Sequence, residues 1–278
     1  MDVLFVHFRL PFYSIAKKSF QVRSSLLLPP PSALKGALAK GLALLLGSNK
    51  EKIDYLARDL IAEINSKLID VMAVSASSPT PLVRNYFLLK RLRTLEPERG
   101  KKRSEAEEEE AEEGEGSEKT DAMRREYIFS HEIYAIYMFK NLTEEEKLRY
   151  KKAAMLIDNL GDTESLVSVV NVDFVKLEKI NALVEFYTPI DKLSSELSKK
   201  ISVWKKIILE NMQIDPDYEE EKQKKRKQKE ITFYMPIEEK RVEKHVYYEI
   251  NPTIETNFGI RVYDKVLGIW IPESCLRS

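Results

Sequence analysis

The sequence predicts an α+β fold, built as a larger body with a protruding ribbon and a smaller β-rich C-terminal subdomain. Three observations predict it. Over residues 1–177, alternating and helical apolar patterns follow one another in the order strand, helix, strand, strand, helix, strand, with one additional helix. Two of the extended runs, residues 82–92 and 124–139, flank a glutamate-rich stretch, as the arms of a ribbon flank its tip. Beyond residue 177 the apolar runs become short, aromatic and β-branched.

The first strand spans residues 2–10. Leu4, Val6, Phe8 and Leu10 share one face, a core face, and Val3, Phe5, His7 and Arg9 share the other. The second set mixes aromatic, imidazole and guanidinium groups, which an ordinary solvent face does not. Residues 11–28 are a connection containing "PFYSIAKKSFQVRSS". Ser32 fits a helix N-cap, its hydroxyl accepting from the Lys35 amide. The position that completes a capping box holds Lys35 instead of Glu or Gln, so no carboxylate reaches back to the other free amides. Ala33, Ala37, Gly41 and Leu44 form a face of mainly small residues beside a leucine face of Leu34, Leu38, Leu42 and Leu45. A small face lets a helix approach a sheet closely.

A second helix is expected over 50–68, with Ile53, Leu56, Leu60, Ile61 and Ile64 at helical spacing, then a strand over 69–77 closed by "SPTP". Thr143 and Glu146 make a capping box for a helix ending near 160–161. A β-branched strand over 165–177 completes the series. The order is that of the ferredoxin-like split β-α-β arrangement used by RNA-recognition folds. Domain boundaries follow: 1–177 for this body, with the ribbon at 82–139 and a disordered acidic insertion at 98–121, and 178–278 for the C-terminal subdomain. There, "ALVEFYTPI" reads as a strand, 193–213 as helix, 219–230 as a charge run in a solvated helix or hinge, and "ITFYMPI", "KHVYYEI" and "GIRVYDKVLGIWI" as three or four short strands.

Composition narrows the class. The single cysteine, Cys275, excludes an intrachain disulfide and a cysteine-cluster metal site, and the three histidines are scattered, so no metal or cofactor is expected. A charged content of 32% with one cysteine suits a thermophile's cytosol. The N-terminal "MDVLFVHFRL" has no basic segment or cleavage site of a signal peptide. The stretch "SLLLPPPSALKGALAKGLALLL" is interrupted by proline and contains Lys35 and Lys40, so it is no membrane span. A cytoplasmic protein without membrane contact is expected. Net charge is zero, from 45 basic and 45 acidic residues, but nine glutamates fall within 101–120. That segment is too polar to offset its ordering entropy and reads as a solubilising loop. The remainder is basic, which admits nucleic acid as a partner.

Four constellations carry chemistry. Uncapped amides at the Ser32 helix, with Lys35 one turn in, make an anion site or simply a hydrated helix start. Lys17, Lys18, Gln21 and Arg23 are interleaved with Phe12, Tyr13 and Phe20, the mixture of phosphate partners and stacking planes that single-stranded RNA needs. The competing reading is a solvated loop pinned by its aromatics. On the ribbon, Arg84, Lys90, Arg91 and Arg93 face Arg124 and Arg125, either a basic cluster or a solvated face. His7, Tyr13 and His131 are candidate acid–base groups for RNA cleavage through the 2′-hydroxyl, although a lone strand histidine is more often structural. The sequence holds no P-loop, GxSxG, HExxH or GxGxxG motif.

Taken together, "LPFYSIAKKSFQVRSSLLLPPPSALKGALAKGLAL" resembles the Cas-five family of CRISPR-associated RAMP proteins, most closely its archaeal type I-A branch. The family's Pro-Ser-x-x-x-Gly-Ala-Leu pattern falls on Pro31, Ser32, Gly36, Ala37 and Leu38. The likeness covers residues 1–47 and extends over 124–177. The glycine-rich loop of RAMP proteins is represented only by Gly259 and Gly268 in "NFGIRVYDKVLG". The resemblance implies an RNA-recognition-like body with a thumb, here the ribbon, in a subunit of a Cascade complex that grips the 5′ handle of CRISPR RNA. It implies as partners the CRISPR RNA, the backbone subunit, the large subunit and the small subunit, with target DNA reached through the complex. The expected role is non-catalytic, with Lys17, Lys18, Gln21, Arg23, Ser32 and Lys35 as RNA contacts and Arg84, Arg91, Arg124 and Arg125 on the thumb. The alternatives are a metal-independent endoribonuclease that processes repeat RNA and a protein-interaction scaffold.

Overall fold

The computed structural model describes residues 1–15, 24–47, 53–93, 119–162, 164–193, 208–216 and 230–271; of 53–55, 88–93, 119–124 and 192 it describes the backbone alone. The N-terminal part runs β1 (Asp2–Arg9), β2 (Phe12–Tyr13), α1 (Pro31–Leu46), α2 (Ile53–Lys67), β3 (Val74–Ser77), β4 (Val83–Arg93), β5 (Lys119–Phe129), β6 (Glu132–Phe139), α3 (Glu144–Met155) and β7 (Ser168–Val175). The C-terminal part adds β8 (Leu177–Leu183), β9 (Thr188–Pro189), β10 (Ile208–Gln213), β11 (Glu230–Met235), β12 (Ile237–Val242), β13 (His245–Ile250), β14 (Glu255–Val262) and β15 (Lys265–Gly268). The fold mixes helix and strand and is mostly sheet.

The central sheet has the order β3-β6-β1-β7, and each neighbouring pair is antiparallel. β1 is apolar on both faces because both are covered. Leu4, Val6 and Phe8 enter the core formed with Leu34, Leu38 and Leu42 of α1, Leu60, Ile61 and Ile64 of α2, and Tyr150 and Ala153 of α3. Val3 and Phe5 enter a second core with Ile260, Val262, Leu267, Ile269 and Ile271. The C-terminal residues therefore continue both hydrophobic clusters: Tyr187, Phe233, Met235 and Tyr248 belong to the helix-side one.

α1 begins two residues earlier than the sequence implies. Pro30 occupies the N-cap position and Pro31 the first turn, with no side-chain cap bond, so Ser32 lies inside the helix instead of capping it. Proline wins this position because its fixed φ suits the first turn and it has no N–H to leave unpaired. The small face of α1 meets α3 at Gly41, where an added Cβ would lie 2.1 Å from the Ala153 carbonyl oxygen. Glycine is required there for close approach.

α3 carries the expected capping box: the Glu146 amide donates to Thr143 Oγ1 at 3.2 Å, and the Thr143 amide to Glu146 Oε2 at 2.8 Å. The helix ends at Met155, short of 160–161, where the turn-forming run "IDNLGD" takes over. The run over 124–139 is two strands. β5 pairs with β4 and β2, β6 joins the central sheet, and the chain crosses between sheets at Ser130 and His131. β1 and β2 break opposite this point, at Leu10 and Pro11, whose Leu10 amide donates to the His131 carbonyl and whose Pro11 carbonyl accepts from Ser130.

Residues 208–213, expected as helix, form β10, antiparallel to β11. Glu210 and Met212 on its inward face are buried, an alternation that a helix cannot satisfy. The charged run "IEEKRV" is strand β12, hairpin-paired with β13, which no hydrophobic pattern announces. The acidic residues 98–118 and the charge run 217–229 lie outside the described residues, while 119–121 already belong to β5.

Candidate nucleic-acid interface

The connection after β2 leaves and returns through a tightly bonded neck. On the way out, Ser14 donates its amide to Ser165 Oγ (3.1 Å) and its hydroxyl to the Glu126 carbonyl (2.9 Å), and accepts at Oγ from Arg125 Nε (3.0 Å). The Ile15 amide donates to Ser25 Oγ at 3.0 Å. On the way back, the Ser25 amide donates to Glu126 Oε2 at 2.6 Å, Leu26 to the Ile15 carbonyl at 3.0 Å and Leu27 to Glu210 Oε2 at 3.1 Å. The Tyr13 hydroxyl donates to the Leu27 carbonyl, and burial pushes its pKa well up. Glu126 thus binds both ends, by its backbone oxygen on one side and its carboxylate on the other.

Glu126 and Glu210 are enclosed, and Arg84 lies beside both, at 3.7 Å and 3.6 Å. Its guanidinium carbon also sits 5.0 Å from the Tyr248 ring centroid. A buried carboxylate needs donors and a counter-charge, and here backbone amides and one arginine supply them. Tyr248 is tied in turn to Leu82 by a pair of backbone hydrogen bonds. The base of the ribbon, the neck and the C-terminal strands therefore form one polar junction.

Of the candidate contact residues, Lys17, Lys18, Gln21 and Arg23 lie outside the described residues, between the two ends of the neck. Ser32 is almost enclosed. Lys35 is fully enclosed, its ammonium 2.7 Å from Asp215 Oδ1, to which Asn65 also donates at 2.9 Å. Burial lowers the Lys35 pKa, and Asp215 works against that shift. Arg125 is also enclosed: it bonds Asp162 and lies 3.2 Å from Glu164. Arg84 keeps a partly exposed side chain. Arg91 and Arg124 are placed by backbone register alone. Arg84 pairs with Ile128 and Arg124 with Leu88 on one face, whereas Arg91 pairs with Asp121 and Arg125 with Phe87 on the other. The ribbon arginines are therefore divided between two faces instead of forming one cluster.

His7 is buried under the β14–β15 hairpin. Its Nδ1 lies 2.8 Å from the Tyr263 hydroxyl and its Nε2 3.5 Å from Glu132. Burial lowers its pKa, and the Glu132 carboxylate works against that shift. His131 sits at the crossing between sheets, exposed. Gly259 and Gly268, the residues standing for a glycine-rich loop, face one another across that hairpin. A Cβ on Gly268 would lie 2.1 Å from the Leu183 carbonyl oxygen, so this glycine serves close strand packing. Among the described residues no group of three or more His, Cys, Asp or Glu side chains is arranged to hold a metal ion. No helix among them is long and apolar enough to cross a membrane.

Sequence reasoning missed the carboxylates. Glu126, Glu210 and Asp215 hold the arginine and lysine that the sequence offers as ligands for phosphate. For Glu126 a signal existed, since it shares a strand face with the core residue Ile128. For Glu210 and Asp215 the partners are far away in the chain.

Residues 3–245 match the family model described as CRISPR-associated protein (Cas_Cas5). The chain is 40% identical over 273 residues to a CRISPR-associated protein Cas5 of Methanocaldococcus jannaschii, covering 98% of this chain and 99% of that protein. Among solved structures, a CRISPR protein from Archaeoglobus fulgidus aligns over 96% of this chain and 98% of its own, at 16% identity and a TM-score of 0.48. A chain of a CRISPR RNA-guided surveillance complex aligns over 91% of both, at 11% identity and a TM-score of 0.43. The sequence match spans most of the chain and the identity to the archaeal relative holds over nearly all of it: the chain belongs to the Cas5 family of CRISPR-associated proteins.

Proposed function

We propose that this chain is a non-catalytic subunit of a type I-A CRISPR effector complex, and that it grips the 5′ handle of the guide RNA. The observation that carries the reading is the neck. Lys17, Lys18, Gln21 and Arg23 are strung between two chain ends that buried hydrogen bonds fix to the ribbon strand β5. Phosphate contact supplies affinity without reading sequence, which suits a protein that leaves target recognition to base pairing. Arg91 and Arg124 extend the contact along the ribbon, and Arg84 offers its exposed edge at the junction. Lys35, Ser32 and Arg125, enclosed as they are, shape the surface from beneath.

The antiparallel order β3-β6-β1-β7, with helices inserted after β1 and after β6, supports a ferredoxin-like body over 1–177, with 178–278 as the subdomain added to it. The partners of such a subunit are the guide RNA, the backbone, large and small subunits of the complex, and target DNA through them.

Co-expression with the neighbouring subunits, followed by sequencing and crosslink mapping of the retained RNA, tests the reading. RNA with a uniform 5′ handle crosslinked within 16–23 is the expected result. The endoribonuclease alternative has less support, because Nδ1 of His7 is engaged by Tyr263 inside the fold. Site-specific cleavage of repeat RNA in EDTA, abolished by His131→Ala, is the result that reverses this preference. A complex that assembles without RNA favours the scaffold instead.

A further inference from the structure

One face of the sheet β2-β5-β4 is aromatic, and some of its side chains are exposed. The register places Phe12, Phe129 and Val83 in one row, Tyr127 beside Asn85, and Arg125 beside Phe87, all on the same side. Four rings close a circuit: Phe12–Tyr127 at 5.4 Å, Tyr127–Phe87 at 5.5 Å, Phe87–Phe129 at 6.1 Å and Phe129–Phe12 at 5.9 Å. Tyr127 is fixed at its centre, its hydroxyl donating to Glu164 Oε2 at 2.7 Å and its ring lying under the Arg125 guanidinium. Yet Phe87 is 42% exposed and Val83 41% exposed, with Phe12 and Phe129 half-buried. Rings already immobilised lose little further freedom on contact, and aromatic residues are the usual anchors of protein interfaces.

The rim decides what the face takes. Beside the rings, Arg125 is the one cation among the described side chains, its side chain is 4% exposed, and two carboxylates share it, while Arg91 continues the same face two rungs beyond Phe87. Those carboxylates, Asp162 and Glu164, are 41% and 45% exposed. Among the described side chains beside the rings, two carboxylates against one guanidinium leave a net negative charge. Arg84 lies on the opposite side of the ribbon, paired with Glu126 and Glu210. A phosphate chain would meet carboxylates here, whereas a lysine or arginine flanking an apolar side chain would complement them.

We propose that this face is a docking site for a neighbouring protein subunit, through an apolar segment that carries lysine or arginine. The inference rests on the assembly reading above and adds a protein interface to a ribbon otherwise assigned to RNA. The test places p-benzoylphenylalanine at position 87 of the full chain, co-expressed with the other subunits and guide RNA, and irradiates the purified complex. The expected product is a crosslink to a subunit peptide with a basic residue beside an apolar one. Phe87→Asp should in addition reduce retention of that subunit at least tenfold, while circular dichroism and melting temperature of the isolated chain stay unchanged. A crosslink to RNA means that bases stack on these rings, and it overturns the proposal, as does an intact RNA-containing complex with no crosslink at position 87. Failure of the parent reading looks different: no RNA-containing assembly forms at all, and both claims then fall.

Discussion

At the scale of single residues, buried carboxylates hold chain ends and cations in place. Glu126 is 1% exposed, and its side chain accepts from the Ser25 amide beside Arg84. Glu126→Ala strands a buried amide and unbalances a guanidinium, and should cost about 2–4 kcal/mol in urea unfolding. Glu126→Gln keeps an oxygen for Ser25 and should recover part of that loss. Equal losses for both variants would mean that charge alone matters and that the neck bond does not. Lys35 and Asp215 present the same physics in reverse order. The sequence offers the lysine as a ligand for phosphate, while the fold encloses it and supplies the counter-charge from 180 positions along the chain. No local pattern reveals such a partner, which is why contact residues are harder to read from sequence than the strands that carry them.

Elements were legible where their signal is local. β1 follows from alternation, and α3 follows from a capping box whose two hydrogen bonds are both present. The split between β5 and β6 was not, because both strands are apolar and only pairing with different sheets separates them. β10 and β12 were hidden for a related reason: a short strand with glutamate on its face becomes a strand through its partner, and the partner is set by tertiary structure. The helix pair gives the sharpest test at this scale. Because a Cβ on Gly41 would meet the Ala153 carbonyl, Gly41→Ala must push α1 and α3 apart despite alanine's better helix propensity. A loss of about 1–3 kcal/mol is expected from overpacking. A gain in melting temperature would show that the helices are not closely packed there.

For the whole molecule, two cores on opposite sides of one sheet bind the C-terminal strands to the N-terminal body, so unfolding should be shared between them. Buried phenols give that shared core a pH signature. Burial raises the pKa of Tyr13, Tyr137, Tyr150 and Tyr187 above the ordinary value of 10.0. Above that pH the native state holds more protons than the unfolded chain, so stability that is complete below pH 10 falls as pH rises. Lys35, with its lowered pKa, acts in the opposite direction, but it is one group against four. Denaturation midpoints at pH 8, 10 and 11 should therefore hold and then drop; a midpoint unchanged at pH 11 would mean that the phenols are not enclosed. The central claim concerns RNA, and its most direct test is binding of handle RNA across a salt series by the full chain and by the triple variant Lys17→Glu, Lys18→Glu, Arg23→Glu. The variant should bind at least tenfold more weakly and with a shallower dependence on salt, since fewer phosphates are neutralised. Equal affinity and equal slope for the two proteins would contradict it.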